Sequence, residues 1–433
     1  MAMRATGRCP VARVGGNTRL RHRVVLTGMG ALTPLALTAA DTWQAALAGR
    51  SGIATIQRFE AERLDVRFGG EVHGFDPTRY LDRREARRTD RFVQFALAAA
   101  GEALDDAGLP ESGFDPERAG VICGTGIGGI ETFCEQHKTY LDRGPNRVSP
   151  FFIPMMIPTM AAAQVAIHHG LRGPNMTTVT ACASSAHAVG DAVRRIQYGE
   201  ADVMLAGGAE AALLPLCYAG FMNMKALSTR NDEPERASRP FDRDRDGFVL
   251  AEGAGMLVLE ERDHALARGA KMYAEMVGYG MTADAYHIVE PSPEGEGAAR
   301  AMQAALADAS LAPGRIGYIN AHATATPKGD VGEAGAIRRV FGRHAGRLAV
   351  SSTKSMTGHL LGAAGAIGTM FAALALRDGI LPPTINLENL DPEVDLDCVP
   401  NVARDGAVEA ALVNSFGFGG QNVTLVLKRA DLG

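Results

Sequence analysis

No stretch of about 18 uninterrupted apolar residues occurs in the sequence. The longest candidate, around Leu360 to Leu376, is built from glycine and alanine and is too small-sided to favour lipid. No membrane association is therefore expected. Cysteine is sparse, with six in 433 residues. Cys9, Cys123, Cys134, Cys182, Cys217 and Cys398 show neither paired metal-ligand spacing nor a dense disulfide framework, which fits reduced thiols in a cytoplasmic setting. A dinucleotide fingerprint is missing as well, because Gly28-Met-Gly30 is followed by Thr33 where the third glycine belongs. Ser184-Ser185 lacks the flanking glycines of a serine-hydrolase elbow.

Acidic residues are absent before Asp41, whereas Arg4, Arg8, Arg13, Arg19, Arg21 and Arg23 precede it. This leader has no apolar core of the secretory kind. Serine is also absent from residues 1–22, which speaks against an organellar transit peptide and for a disordered tail or an upstream start. The formal charge of −5 leaves a mildly acidic body, which argues against broad nucleic-acid binding. What is present is ordinary for a globular chain: 46% hydrophobic and 21% charged residues, with length enough for two or three domains and a large core.

The chain repeats its order of elements. A strand from Arg23 runs into a glycine turn, and a helix follows from Asp41 to Leu47. Leu81 to Asp90 carries Arg83, Arg84, Arg87 and Arg88 on a shared helical side. That patch reads equally as a solvated face or as a dock for an acidic protein or anionic ligand. An alanine-rich helix from Phe92 to Gly108 precedes a strand at Ala119 to Cys123 and the loop Gly124-Thr-Gly-Ile-Gly-Gly129. Later, a similar helix from Ala298 to Ala309 precedes a strand at Ile316 to Asn320. The helix after Cys182 has its counterpart after Lys354-Ser-Met-Thr-Gly-His359, and each half closes on a glycine turn feeding an apolar strand. These alternations predict a duplicated α/β architecture, with halves at 23–270 and 271–430 and functional groups meeting at their junction.

Thr178-Val-Thr-Ala-Cys-Ala-Ser-Ser-Ala-His-Ala-Val-Gly190 places Cys182 where a β-branched run gives way to helical spacing. Unpaired N–H groups at a helix start lower a thiol pKa, so Cys182 reads as a nucleophile; a buried, inert cysteine satisfies the same pattern. His322 just beyond a strand, with Lys354 and His359 in a loop entering a helix, occupies matching places in the second half. A cysteine and two imidazoles suit acyl transfer followed by stabilisation of an enolate. His168 and His169 read as a helix end, and His187, five residues after Cys182, as a packing residue. Asn414-Ser-Phe-Gly-Phe-Gly-Gly420 reads as a flexible loop whose backbone N–H groups can face an oxyanion, or as a plain turn before the last strand.

Assembled, these pieces resemble the β-ketoacyl-acyl-carrier-protein synthases of the thiolase-like superfamily, and most closely their synthase II type. The likeness spans about Arg23 to Arg429. It rests on Thr180-Ala-Cys-Ala-Ser-Ser185, Gly207-Gly-Ala-Glu210, Lys225-Ala-Leu-Ser-Thr-Arg-Asn231, Ser238-Arg-Pro-Phe-Asp-Arg-Asp-Arg-Asp-Gly-Phe248, Asn320-Ala-His322, Ser351-Ser-Thr-Lys-Ser-Met-Thr-Gly-His359 and Asn414-Ser-Phe-Gly-Phe-Gly-Gly420. It implies a thiolase-like fold, duplicated halves in a five-layer αβαβα arrangement. It implies Cys182 as acyl acceptor, His322 and His359 as paired imidazoles, Lys354 as their support with Glu333 as its ion-pair partner, and Phe418 as a gate. Thr324 and Thr326 fall in the same stretch as His322. Ile127, Phe152 and Phe221 match acyl-pocket positions, and Arg84, Arg87, Arg88 and Lys225 match positions that dock an acyl carrier protein. No redox cofactor and no catalytic metal are implied, and a homodimer is.

Ala323 and Ala325 depart from the glycine and serine usual in that family stretch, so an extra methyl stands beside His322. The implied reaction joins an acyl chain to malonyl carrier protein with loss of CO2. Three other readings stand beside it. A type II polyketide ketosynthase keeps every catalytic residue. A non-catalytic chain-length-factor partner lacks the nucleophilic cysteine that is present here. A coenzyme A thiolase carries a second cysteine in the C-terminal glycine loop, where Phe416 to Gly420 has none.

Overall fold

The computed structural model describes residues 21–109 and 113–430. Of the leader expected to be disordered, residues 1–20 lie outside these, and Cys9 with them. Ten strands form one hydrogen-bonded run: β1 Val24–Leu32, β2 Ala119–Gly124, β3 Asn175–Thr178, β4 Val203–Glu210, β5 Gly253–Glu261, β6 Ala274–Ala283, β7 Ile316–Asn320, β8 Ala349–Ser351, β9 Ala410–Gly417 and β10 Gln421–Lys428. Their spatial order is β8-β7-β9-β10-β6-β1-β5-β4-β2-β3. Each strand of the first five has its counterpart five places later. In both sets the outer three strands are mutually parallel and the inner two pair antiparallel. The sets join where β1 pairs with β6 from Val24↔Met276 to Leu26↔Ala274.

Six helices complete the layers: α1 Arg91–Ala107, α2 Met160–His169, α3 Ser184–Gln197, α4 Glu296–Ala309, α5 Pro327–Phe341 and α6 Ala364–Asp378. Helix α1 lies on β1 and β5, and α4 lies on β6 and β10. Between the two sets run α3 and α6, which touch each other; α3 packs on β4 and β2, and α6 on β9 and on β5. The result is the αβαβα sandwich of a thiolase-like fold. Every residue of α6 except the two at its C-terminal end is buried, which explains why a helix with so long an apolar face is no membrane span. Among the described residues no helix is long and apolar enough to cross a membrane.

The glycines at the start of the chain do not form the turn expected of them: Gly28 and Gly30 sit inside β1. They are there because α1 presses on the strand, so that a Cβ at Gly28 would stand 2.3 Å from Ala103 O and one at Gly30 2.1 Å from Ala99 O. The second half repeats the device, with Gly278 and Gly280 of β6 meeting Ala305 O and Ala301 O of α4. Alanine-rich helices and glycine-bearing strands together permit this close backbone contact. The basic segment forms only the four-residue helix Arg83–Ala86, closed at its start by a capping box between Asp82 and Glu85. Asn414 to Gly417 belongs to β9, leaving Phe418 to Gly420 as the hairpin turn into β10.

Candidate active site

Cys182 stands in a single tight turn, Ala181–Ala183, immediately before α3, and is 7% exposed. The turn is strained, because Ala181 has φ +51°, a region that costs an L-residue about 1–2 kcal/mol. Side chains around it hold the strain: Ser184 Oγ accepts from Thr180 N at 2.9 Å, and Thr178 Oγ1 donates to Ser184 O at 2.7 Å. In the second half the same turn recurs at Leu361–Ala363 before α6, with Leu361 at φ +45° and Gly362 in the place of Cys182. The counterpart of the cysteine turn is thus this segment, and Lys354–Thr357 is a separate short helix just ahead of it.

The thiol does not have the lowered pKa that its helix-start position predicts. Burial pushes it up to about 12, against the downward pull of the Lys354 ammonium and of N–H groups from Phe418 and from Cys182 itself, which point at the sulfur. Gly417 presses on the same turn: a Cβ there would lie 2.8 Å from Thr180 O and 3.1 Å from Cys182 N. The β9–β10 hairpin is thereby fixed against Cys182, and its Phe418 N–H joins that of Cys182 in a two-donor niche.

His322 follows β7, and the rings of His322 and His359 meet edge to face, 5.5 Å between centroids. His359 is fixed through its backbone, N–H to Val249 O at 2.8 Å and C=O from Ala251 N at 3.0 Å, while Phe248 covers its ring. Both imidazoles are driven well below their ordinary pKa by burial and by the Lys354 charge, so both are neutral at physiological pH. Lys354 is itself buried behind them, with Nζ 3.4 Å from Ala321 O and its pKa lowered by burial to about 8.

The expected Lys354–Glu333 ion pair does not form. Glu333 Oε1 accepts from His322 N at 2.9 Å and from Asn414 Nδ2 at 3.0 Å, and Oε2 accepts from Ala323 N at 2.7 Å. The carboxylate spends its lone pairs on the backbone that carries His322, and it raises the Lys354 pKa only by its field. Thr324 Oγ1 and Thr326 Oγ1 lie 3.3 Å apart just beyond.

Cys182, His322, His359, Glu333 and Phe418 line one cavity of 520 Å³. Ile127, Phe221, Thr324, Thr326 and Lys225 line it too. Phe152 does not line it; it begins the helix Phe152–Met156 at the surface. Arg84, Arg87 and Arg88 are exposed and away from the cavity, and the Arg88 guanidinium lies 4.2 Å over the Phe151 ring. Among the described residues no group of three or more His, Cys, Asp or Glu side chains is placed to hold a metal ion.

Two contributors carry no role in the sequence reading. His187, expected only to pack, has Nδ1 2.8 Å from Thr180 Oγ1 and so braces the nucleophile turn. Glu210 is wholly buried at the end of β4 and accepts four hydrogen bonds, from Thr125 Oγ1 and from the backbone of Gly126, Ile127 and Gly362. A buried acid closing a Gly-Gly-Ala-Glu strand was its sequence signal.

A duplicated thiolase-like sandwich with a cysteine turn, two neutral imidazoles and an N–H niche around one cavity defines the condensing-enzyme class. Comparison with known proteins is more specific. Residues 21–265 match the Beta-ketoacyl synthase, N-terminal domain family and residues 273–388 the Beta-ketoacyl synthase, C-terminal domain family. The 3-oxoacyl-(acyl-carrier-protein) synthase 2 of Synechocystis sp. is 55% identical over 409 residues, covering 94% of this chain and 98% of the relative. That of Vibrio cholerae is 51% identical over 411 residues, covering 94% and 99%. Among solved structures, a beta-ketoacyl synthase from Burkholderia phymatum superposes with TM-score 0.89 at 38% identity, covering 94% of this chain and all of that one. A ketosynthase solved with its type II polyketide acyl-carrier protein and a bound hexaketide superposes with TM-score 0.88 at 35% identity, covering 95% and 100%. The chain belongs to the beta-ketoacyl synthase family and is a condensing enzyme.

Proposed function

We propose that the protein elongates an acyl chain by decarboxylative Claisen condensation with malonyl-acyl carrier protein. The observation that carries this reading is the enclosure of Cys182, His322 and His359 in one cavity with the Phe418 N–H directed at the sulfur. Cys182 Sγ attacks the acyl thioester carbonyl, and the N–H groups of Cys182 and Phe418 receive the oxyanion. The carrier's thiol then leaves with the proton that Cys182 gave up. Malonyl carrier protein enters next. Its C–C bond to the carboxylate breaks and CO2 departs, with the electron pair held as an enolate by N–H donors from the two neutral imidazoles. The enolate carbon attacks the Cys182 acyl carbonyl, and the sulfur leaves as a thiolate that takes a proton from solvent, so that the product carries a β-keto group and two more carbons.

Relatives at 50–55% identity bear the 3-oxoacyl-acyl-carrier-protein synthase 2 name, which favours fatty-acid elongation. The polyketide ketosynthase with its carrier protein, at 35%, favours the second reading, a type II polyketide role with the same chemistry. Acylation with a panel of acyl carrier proteins of increasing chain length separates them: saturated chains accepted to long length support elongation, and refusal of all of them supports a specialised starter.

Arg84 in the capped Arg83–Ala86 helix and Arg87 at its C-terminal end, both exposed, with Lys225 at the cavity rim, are the cations offered to an acidic carrier protein. Arg88, stacked on Phe151, joins them with less freedom. A homodimer belongs to this reading. The β3 strand stands at an open end of the strand order, and Ile153, Val179 and Ile127 are exposed apolar residues that a second copy would cover. Phe152, adjacent to Ile153, is then an acyl-pocket residue by way of that interface. A cytoplasmic location accords with the five cysteines that are free among the described residues, Cys123, Cys134, Cys182, Cys217 and Cys398.

A further inference from the structure

We propose that Glu210 is the positioning residue for the acyl end of the cavity, acting through Ile127 to set which chain lengths are accepted. The inference rests on the acyl-transfer reading above and deepens it. Its carboxylate is fully buried and is used completely. Oε1 accepts from Thr125 Oγ1 at 3.0 Å and from Ile127 N at 3.1 Å, while Oε2 accepts from Gly126 N at 2.6 Å and from Gly362 N at 3.0 Å. Two of these donors belong to the residues that form the cavity wall next to Cys182: Gly126 and Ile127 both line it. The fourth comes from the other half of the molecule, from the strained turn that mirrors the cysteine turn.

The two turns also touch each other directly. A Cβ on Gly362 would stand 2.3 Å from Gly126 N and 2.8 Å from Glu210 Oε2, and one on Gly126 would stand 2.7 Å from that same oxygen. The carboxylate ties the two segments together, and the backbone N–H of Ile127, a residue of the cavity wall, is held by Glu210 Oε1. Four donors converging on the two oxygens of one carboxyl group fix a loop more tightly than a single bond does. Ile127 lines the same cavity as Cys182, so on this proposal the height at which Glu210 holds it sets the length of chain the cavity takes.

The test is Glu210→Gln, which keeps the shape and turns one acceptor into a donor that faces N–H groups. Acyl adducts on Cys182 are timed by intact mass with acyl carrier proteins bearing short to long saturated chains. The long-to-short rate ratio is expected to change by at least about threefold. Ile127→Ala is expected to change that ratio too, and adding Glu210→Gln to Ile127→Ala is expected to change it no further. Thr125→Val, which removes one of the four donors, gives a smaller shift in the same direction and decides the matter if Glu210→Gln does not fold. A uniform slowing at every chain length, or additive effects of the Glu210 and Ile127 changes, overturns the inference. Failure of the wild-type protein to acquire an adduct from any of these chains and also from a polyketide-type starter on its carrier protein overturns the acyl-transfer reading instead, so the two failures are distinct.

Discussion

The His322 and His359 rings stand 5.5 Å apart at 86° to one another, each carrying an Nδ1 that is buried without a partner among the described residues. Two neutral donors at right angles can converge on one oxygen, whereas two imidazolium ions in the same place would repel each other. Replacing either histidine by alanine is therefore expected to cost about 10²–10³-fold in malonyl decarboxylation while leaving acylation of Cys182 largely intact. Single-turnover assays of the two half-reactions check this, and equal losses in both would contradict it.

Neutral buried histidines also shape stability. Each has a pKa in the fold well below its ordinary 6.5, so the unfolded chain binds more protons as the medium becomes acid. Their contribution is present above about pH 6.5 and is lost as pH falls below it. Urea midpoints at pH 7.5 and 5.5 are expected to differ more for wild type than for the His322→Ala, His359→Ala double variant.

Burial that raises the Cys182 thiol to about 12 keeps its resting side chain a thiol rather than a thiolate. Its alkylation by iodoacetamide is expected to speed up continuously from pH 6 to pH 10. A plateau below pH 8 would restore the low-pKa reading of the helix start. Lys354→Met removes the cation that lowers the thiol pKa and is expected to slow alkylation at every pH below about 8, where that lysine is charged.

Gly417 has no room for a methyl group against Thr180 O and Cys182 N. Gly417→Ala is expected to displace the Phe418 N–H from the niche and to lower acylation by at least about tenfold, with the fold retained by circular dichroism. Unchanged acylation would mean that the hairpin is not part of the niche.

Reversal of two exposed surface cations, Arg84→Glu with Arg87→Glu, is expected to raise KM for acyl carrier protein without changing kcat on a small acyl thioester. The defect should shrink as salt is added. Equal loss on both substrates would place these residues outside docking.

Much of this architecture is legible in the sequence because it is written twice. The Ala119–Gly124 and Ile316–Asn320 strands each follow an alanine-rich helix, and the pairing of halves puts Cys182 and His322 near one junction. Context decides the rest. Nothing local distinguishes Gly28 and Gly30 in a strand from a turn until α1 is placed on them. The high thiol pKa of Cys182 depends on burial among residues such as Lys354 and Phe418, more than a hundred positions away, and Glu333 turns to backbone N–H groups only ten and eleven positions before it, which no periodicity marks. The grip of Glu210 on Gly362 spans 152 positions and both halves, so no window of sequence contains it.

The central claim is that Cys182 carries the acyl chain and passes it to malonyl-derived carbon in this cavity. Intact-mass measurement after mixing the protein with acyl carrier protein thioester and then malonyl carrier protein tests it most directly. The expected result is an acyl adduct that maps to Cys182, is absent in Cys182→Gln, and disappears as a β-ketoacyl carrier protein two carbons longer forms. No adduct with any acyl carrier protein, or condensation that persists in Cys182→Gln, would contradict it.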